Sequence, residues 1–307
     1  MKKYIFIIPV IMIVGLTVCL KPARDNEYDP NNPNKAKMSG YVYGLNEQPL
    51  PNATVYLMQD TEVTDTTTSG ADGYYLIEGI DPGIYKLVAE ALHYVSFECE
   101  PESLPANADD TIDIWFGSQY YDFETEPPNT VQPFGFDTIC GTWRVVNDST
   151  QPGEHSAPMV YHGMKTAAPG FAVAILKNSA PDFFLETRFK VINISQPGWA
   201  TGALFRYQND SNFYFVSVMK DTLVLQMRVS GIDTPIDLPH AYNFQIDTWY
   251  DLTVEMRGSR IQVYINCALI FDIQNVVLTG GKAGLWVSNI NATHQASVNF
   301  DDVVMGR

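Results

Sequence analysis

Short runs in which apolar and polar residues alternate recur along most of this chain, separated by clusters of Gly, Pro, Asn and Asp. A period of two puts successive side chains on opposite faces of an extended strand, so each run predicts a strand with one buried face. Up to residue 117 the predicted strands are Gly40–Tyr43, Ala53–Gln59, Tyr74–Glu78, Tyr85–Ala91 and Thr111–Phe116. Tyr85, Leu87 and Ala89 share one face of the fourth, and Ile112, Ile114 and Phe116 one face of the fifth. Asn46-Glu47-Gln48-Pro49, Ala71-Asp72-Gly73 and Asp81-Pro82-Gly83 carry tight-turn chemistry between them. The Thr-rich stretch from Thr61 to Thr68 reads as an exposed strand edge. The expected unit is a small antiparallel sandwich.

From Tyr120 to Arg307 the same pattern continues at larger scale, with strands predicted at Phe183–Val191, Ala203–Tyr207, Phe213–Met219, Leu223–Val229, Tyr250–Met256 and Ile261–Ile265. Arg257-Gly258-Ser259-Arg260 reads as a hairpin turn, and Asn266-Cys267 as the next one, with Cys where Gly is usual. No stretch shows helical periodicity. The fold class is therefore all-β, with two sheets packed face to face in this second domain.

The chain has 307 residues, enough for roughly two domains. Its formal charge of −16 argues against nucleic acid, or an anionic membrane surface, as a partner. Cys19, Cys99, Cys140 and Cys267 form no CxxC pair, and the nearest two histidines, His155 and His162, are seven apart, so no familiar zinc spacing exists. There is no GxSxG and no GxGxxG, and Gly281-Lys282 is followed by Ala283, where a P-loop needs Ser or Thr. Nothing in these motifs points to catalysis.

Lys2 and Lys3 precede a charge-free apolar run from Tyr4 to Leu20, the layout of a bacterial export signal. Leu16-Thr17-Val18-Cys19 resembles a lipobox, which implies that Cys19 becomes a lipidated N-terminus; Val18 stands where a small residue is usual. An ordinary secretory signal cut nearby, or an uncleaved anchor, would fit the same run. Residues 1–19 are thus assigned to a signal peptide and residues 20–36, rich in Pro and Asn, to a flexible tether. Export and attachment to the membrane through a lipid follow as expectations.

Residues 37–117 also resemble a known family. SGYVYGLNEQPLPNATVYL followed by SGADGYYLIEGIDPGIYKLVAEALHY is similar to the carboxypeptidase regulatory-like (transthyretin-like) domain, through SGxV, PLxNAxV, DGxY and PGxY. The resemblance implies an Ig- or transthyretin-like sandwich with a spacer or display role. In residues 120–307, GTWRVVND, GALFRYQNDSNFYFVSV, TWYDLTVEMRGSRIQVYINCALIFDI and GGKAGLWVSNINATHQASVNFDDVVM resemble concanavalin A-like jelly rolls, laminin-G-like modules among them. That superfamily holds lectins, carbohydrate-binding modules, glycosidases, lyases and adhesion modules, so it does not name an activity. Its glucanases carry an ExDxxE strand and its alginate lyases YxKxGxYxQ; both are missing here. Asp122, Glu124 and Glu126 have only the spacing of the first. The expected function is binding of carbohydrate or another extracellular polymer without catalysis. A glycan-active hydrolase and a purely structural adhesion module are the alternatives.

Sugars are gripped by aromatic faces and by hydroxyl-directed Arg, Asn and Asp. On strands expected on or beside the concave sheet, the candidates are Arg206, Tyr207, Asn209, Tyr214, Trp286 and Asn289. Trp199, after Pro197-Gly198, is the tryptophan expected at the surface, while Trp143, Trp249 and Trp286 lie in strand motifs that suit a core. Asp301 falls out of phase with Val298, Phe300 and Val304, whereas Asp302 falls in phase. Jelly rolls of this kind commonly pair their first and last strands, and several bind a structural calcium there. The resemblance thus implies calcium (Ca2+) held by Asp301 with Asp122 or Glu124. A Cys140–Cys267 disulfide is an open alternative to two free thiols.

Overall fold

The computed structural model describes residues 32, 34–150, 155–156, 158–165, 170–194, 199–289 and 296–307. Cys19 and the apolar N-terminal run lie outside the described residues.

The first domain comprises β1 (Ala36–Tyr43), β2 (Thr54–Gln59), β3 (Glu62–Thr68), β4 (Tyr74–Ile80), β5 (Gly83–Glu90), β6 (Phe97–Glu98), β7 (Glu102–Leu104), β8 (Asp109–Thr111) and β9 (Ile114–Trp115). A four-stranded sheet, β4-β1-β8 with β9 also on β1, packs on a five-stranded one, β3-β2-β5-β6 with β7 also on β5. Tyr85, Leu87 and Ala89 enter the core between them together with Met38, Val42, Tyr75 and Ile77. Strand β3 is the exposed edge expected of the Thr-rich stretch. The sandwich is not wholly antiparallel, however, because β1 pairs parallel with both β8 and β9. Gly40 makes that packing possible: a Cβ there would lie 2.0 Å from the Ile112 carbonyl oxygen.

The second domain opens with β10 (Ser118–Tyr121), β11 (Phe136–Cys140), β12 (Thr142–Asn147), β13 (Met159–Lys165), β14 (Gly170–Leu176), β15 (Phe183–Ile194), β16 (Trp199–Asn209) and β17 (Asn212–Met219). It continues with β18 (Thr222–Val229), β19 (Ile232–Pro235), β20 (His240–Ala241), β21 (Trp249–Arg257), β22 (Arg260–Ile265), β23 (Ala268–Gln274), β24 (Lys282–Asn289) and β25 (Ala296–Gly306). Two eight-stranded sheets form a jelly-roll sandwich. The first sheet runs β12-β13-β25-β15-β21-β22-β23, with β10 also on β25; the second runs β11-β14-β24-β16-β17-β18-β19, with β20 on β18. First and last strands pair, Ser118 opposite Gly306. The inner faces bury Trp143, Tyr161, Phe189, Phe205, Tyr214 and Phe300.

The pairing of β25 with β15 is irregular near its middle. Arg188 pairs with Asp301 and Glu186 with Val304, so Thr187 faces two residues of β25 and the strand bulges at Asp302, whose φ is 48°. The core series Val298 and Phe300 therefore continues through Val303 and Met305, not Val304. Asp301 is out of the core series, as the sequence indicates, but the bulge removes Asp302 from it too.

Candidate functional site

Five strands of the first sheet place one residue each in a single transverse row on its outer face. Pairing sets Arg144 of β12 opposite His162 of β13, His162 opposite Asn299 of β25, Asn299 opposite Lys190 of β15, and Lys190 opposite Trp249 of β21. Alternation explains the shared direction, since the flanking residues Trp143, Val145, Tyr161, Phe189, Val298 and Tyr250 all point into the core. Arg144, His162, Asn299 and Lys190 of this row floor a cleft of about 370 Å3, lined also by Asp148 and Thr150 from the β12–β13 connection.

Lys190 is 1% exposed, yet charged, and every feature around it answers that charge. Its Nζ lies 2.6 Å from Asp148 Oδ2, donates to Thr150 Oγ1, and stands 4.9 Å from the Trp249 ring centroid. Burial opposes ionisation of Asp148, but donors from Lys190, Thr150 and Asn299 outweigh it and hold the carboxyl at about 2. Asn299 Nδ2 donates to Asp148 Oδ2 over 2.6 Å. A carboxylate only accepts, so this bond fixes the amide orientation and turns Asn299 Oδ1 toward His162 Nδ1, 2.7 Å away. Nδ1 of His162 therefore carries the proton. Burial lowers the His162 pKa against the Asn299 bond that raises it, and the neutral ring keeps Nε2 as an acceptor. Arg144, exposed at the end of the row, has no hydrogen-bond or ion-pair partner among the described residues. The cleft thus offers a guanidinium, an imidazole acceptor and a rigid polar floor.

A second row lies beside the first. Arg188 sits between Asp301 and Asp251 in register, and its Nε donates to Asp251 Oδ1 over 2.9 Å. Asp301, fully buried, has its Oδ2 2.9 Å from His155 Nδ1 and accepts from Ser156 Oγ at 3.0 Å. His155 Nε2 faces the Thr150 carbonyl at 3.3 Å, which can only accept, so Nε2 bears a proton. The Nδ1–Oδ2 contact then holds one further proton between imidazole and carboxyl. In keeping with this, burial, with the charge of Asp302 adding to it, pushes Asp301 up to about 9. His155 also packs against Trp249, ring centroids 4.5 Å apart.

The carboxylates expected to share calcium do not fit that ion. Asp301 Oδ1 accepts from the Asp302 amide, Glu124 Oε1 from the Met159 amide and Asp122 Oδ1 from the Glu124 amide. No group of three His, Cys, Asp or Glu side chains converges as a ligand set among the described residues. Strand β10 stops at Tyr121, so Asp122, Glu124 and Glu126 lie in a loop and do not project together from a strand.

The seven residues proposed for sugar contact do not converge either. Trp199, expected at the surface, is 4% exposed and sits in the intersheet core with Tyr214. It opens β16 instead of lying in a loop, and its phase matches Ala203 and Phe205. Tyr207 and Trp286 belong to a separate buried cluster with Phe213 and Phe215, on the outer side of the second sheet. A bulge between Leu204 and Tyr207 turns Arg206 inward, where it donates to the carbonyls of Leu278 and Gly258. Asn289 is buried, and Asn209 is exposed at the end of β16, accepting from the Ser211 amide and from Asn212 Nδ2. Cys140 and Cys267 are free and exposed.

Residues 37–115 match the family model of the carboxypeptidase regulatory-like domain. No curated protein matches the sequence. Among solved structures, the carbohydrate binding module CBM66 from Bacillus subtilis is 22% identical at a TM-score of 0.46, covering 56% of this chain and 96% of its own. A beta-glucanase from Bacillus licheniformis is 11% identical at 0.42, covering 62% and 98%. A cellulose induced protein, Cip1, is 13% identical at 0.45, covering 61% and 96%. None of these three reaches a TM-score of 0.5, so what this chain binds has to be read from its own side chains.

The row of Arg144, His162, Asn299, Lys190 and Trp249 escapes sequence reasoning because its members are up to 155 residues apart. One local signal was present: Lys190 occupies the polar phase of the Phe183–Val191 run, between Phe189 and Val191.

Proposed function

We propose that the cleft over this row binds a glycan without cleaving it, in a protein exported and held at the membrane through Cys19. The observation that carries the reading is the row itself. An exposed Arg144 and the acceptor Nε2 of His162 stand on a floor whose other polar groups are locked by one another, the preorganised arrangement that hydroxyl recognition needs. Hydrolysis of a glycosidic bond needs a carboxyl that retains its proton near neutrality. Asp148 is held ionised at about 2 and spends its oxygens on Lys190, Thr150 and Asn299, and Asp301, which keeps its proton, is fully buried against His155 and Ser156, so both serve to position. Loss of Lys2 and Lys3 with the signal would take the formal charge from −16 to −18, which favours a neutral or basic glycan over an acidic one.

Calorimetry on hits from a glycan array, with a reducing-sugar assay on the same ligands, tests the reading. Binding without turnover, weakened about ten-fold by Arg144→Ala, is expected. Sugar release, or unchanged affinity in that variant, would overturn it. Mass spectrometry of the mature N-terminus, expected to show diacylglycerol on Cys19, tests the tether.

A further inference from the structure

The first domain carries an aromatic surface for which its fold has no use. On β1 the core takes Met38 and Val42, leaving Tyr41 and Tyr43 on the outer face. Tyr41 pairs across to Tyr74 of β4, and Tyr43 to Trp115 of β9. The four rings run as one strip across three strands, with centroids 5.4 Å apart for Tyr74 and Tyr41, 6.3 Å for Tyr41 and Tyr43, and 4.2 Å for Tyr43 and Trp115. Tyr74 remains 39% exposed, Tyr41 41% and Trp115 48%. A contiguous exposed patch of large rings on a small domain marks a contact surface.

We infer that this strip is a second binding surface, for a neutral oligosaccharide chain. The chemistry around the rings selects that occupant. Asp113 is exposed beside Tyr41, spends Oδ1 on the Tyr41 amide at 2.9 Å, and leaves Oδ2 as an acceptor for sugar hydroxyls. Ser39, opposite Thr111, extends the hydroxyl-bearing border along β1. The cation on this face, Lys37, is already paired with Asp109 at 2.8 Å, so an anionic chain would meet carboxylates and no unpaired positive charge. Aromatic faces take up the C–H faces of sugar rings, while the phenol hydroxyls and Asp113 answer their polar edges. Leu76, opposite Ser39, borders the strip.

Trp115 makes the test direct, because the other four tryptophans, Trp143, Trp199, Trp249 and Trp286, are between 1% and 7% exposed. Acrylamide quenching of the full chain therefore reports on Trp115. Titration with hexasaccharides of glucose, mannose, xylose and N-acetylglucosamine should yield at least one that cuts quenching about two-fold, while polygalacturonate should not. Tyr41→Ala with Tyr74→Ala should raise the hexasaccharide concentration needed for that shielding about ten-fold, with unchanged circular dichroism. Arg144→Ala should leave it intact, which separates this surface from the cleft of the second domain. The inference is overturned if no neutral hexasaccharide shields Trp115, or if polygalacturonate does so. Shielding that follows protein concentration alone would overturn it in favour of a second copy.

Discussion

Lys190 Nζ stands 4.9 Å from the ring centroid of Trp249, the residue facing it across the β15–β21 register. The contact places a buried cation over an aromatic face at the centre of the polar row, and it accounts for how Lys190 tolerates near-complete burial. Asp148 supplies the opposite charge, and the two side chains are 2% and 6% exposed. Removing one partner of such a pair strands the other. Lys190→Met should therefore cost about 3 kcal/mol in urea unfolding, and Lys190→Met combined with Asp148→Asn should regain most of it. A single variant that unfolds at the wild-type midpoint would show that the pair is not coupled.

The His155–Asp301 pair predicts a loss of stability at alkaline pH. In the unfolded chain the Asp301 carboxyl gives up its proton at about 3.9, whereas burial in the native protein holds it until about 9. Native protein then binds more protons than unfolded protein between those values, so this contribution is complete below about pH 4 and lost as pH rises toward 9. The slope should approach about 1.4 kcal/mol per pH unit in that window. Asp148 acts in the opposite direction: its folded value of about 2 gives stability that is present above pH 4 and lost as pH falls toward 2. Asp301→Asn should flatten the alkaline window and leave the acid one, read from urea midpoints at half-unit pH steps. A wild-type profile flat from about pH 5 to 9 would show that the native protein does not hold the Asp301 proton.

Trp199 and Arg206 are structural, which reverses what their positions in the sequence suggest. Trp199→Ala should cost about 3–5 kcal/mol, because the core between the sheets loses an indole and gains a cavity. Arg206→Met should be destabilising too, leaving the Leu278 and Gly258 carbonyls without their donor. Their glycan affinity, measured at a temperature where both variants remain folded, should match that of the wild type. A ten-fold loss of affinity in folded Trp199→Ala would return that residue to the binding surface.

Much of the architecture was legible because it is local. Tyr85, Leu87 and Ala89 share a face by simple alternation, and Gly258 turns the β21–β22 hairpin with a φ of 58°, where the sequence places it. Both sheets of the second domain follow from runs whose phases can be read one by one. The functional row is different in kind. Arg144, His162, Asn299, Lys190 and Trp249 become neighbours only through the strand order β12-β13-β25-β15-β21, which no local period encodes. The bulges at Asp302 and Arg206 add a second loss, because one extra residue reverses every later side chain in a strand. Val304, in phase with Val298 by counting, gives way to Val303 for that reason.

Chelation offers a check on the carboxylates of the β10–β25 pairing. With Asp301 in contact with His155 and Ser156, and Glu124 bound to the Met159 amide, these carboxylates do not converge as a set of cation ligands among the described residues. Melting curves recorded in EDTA and in millimolar calcium should superimpose. A calcium-dependent rise of several degrees would show that these groups rearrange to bind the ion, since a ligand held only by the native state stabilises it.

The hairpin between β22 and β23 turns through Asn266 and Cys267, with φ values of 47° and 64°. Two consecutive residues in the left-handed region define a type I′ turn, whose twist suits the strands it joins and whose second position favours Gly. A Cβ in that region costs about 1 kcal/mol, so Cys267 is held there by the pairing of Ile265 with Ala268 and by the Asn266 amide donating to Asp251. Cys267→Gly should raise stability by about 1 kcal/mol, offset in part by the greater freedom glycine gives the unfolded chain. Cys267→Ala, which removes the thiol but keeps the Cβ, should change stability little. Equal urea midpoints for the two variants would mean that backbone strain at Cys267 is not what the substitution relieves.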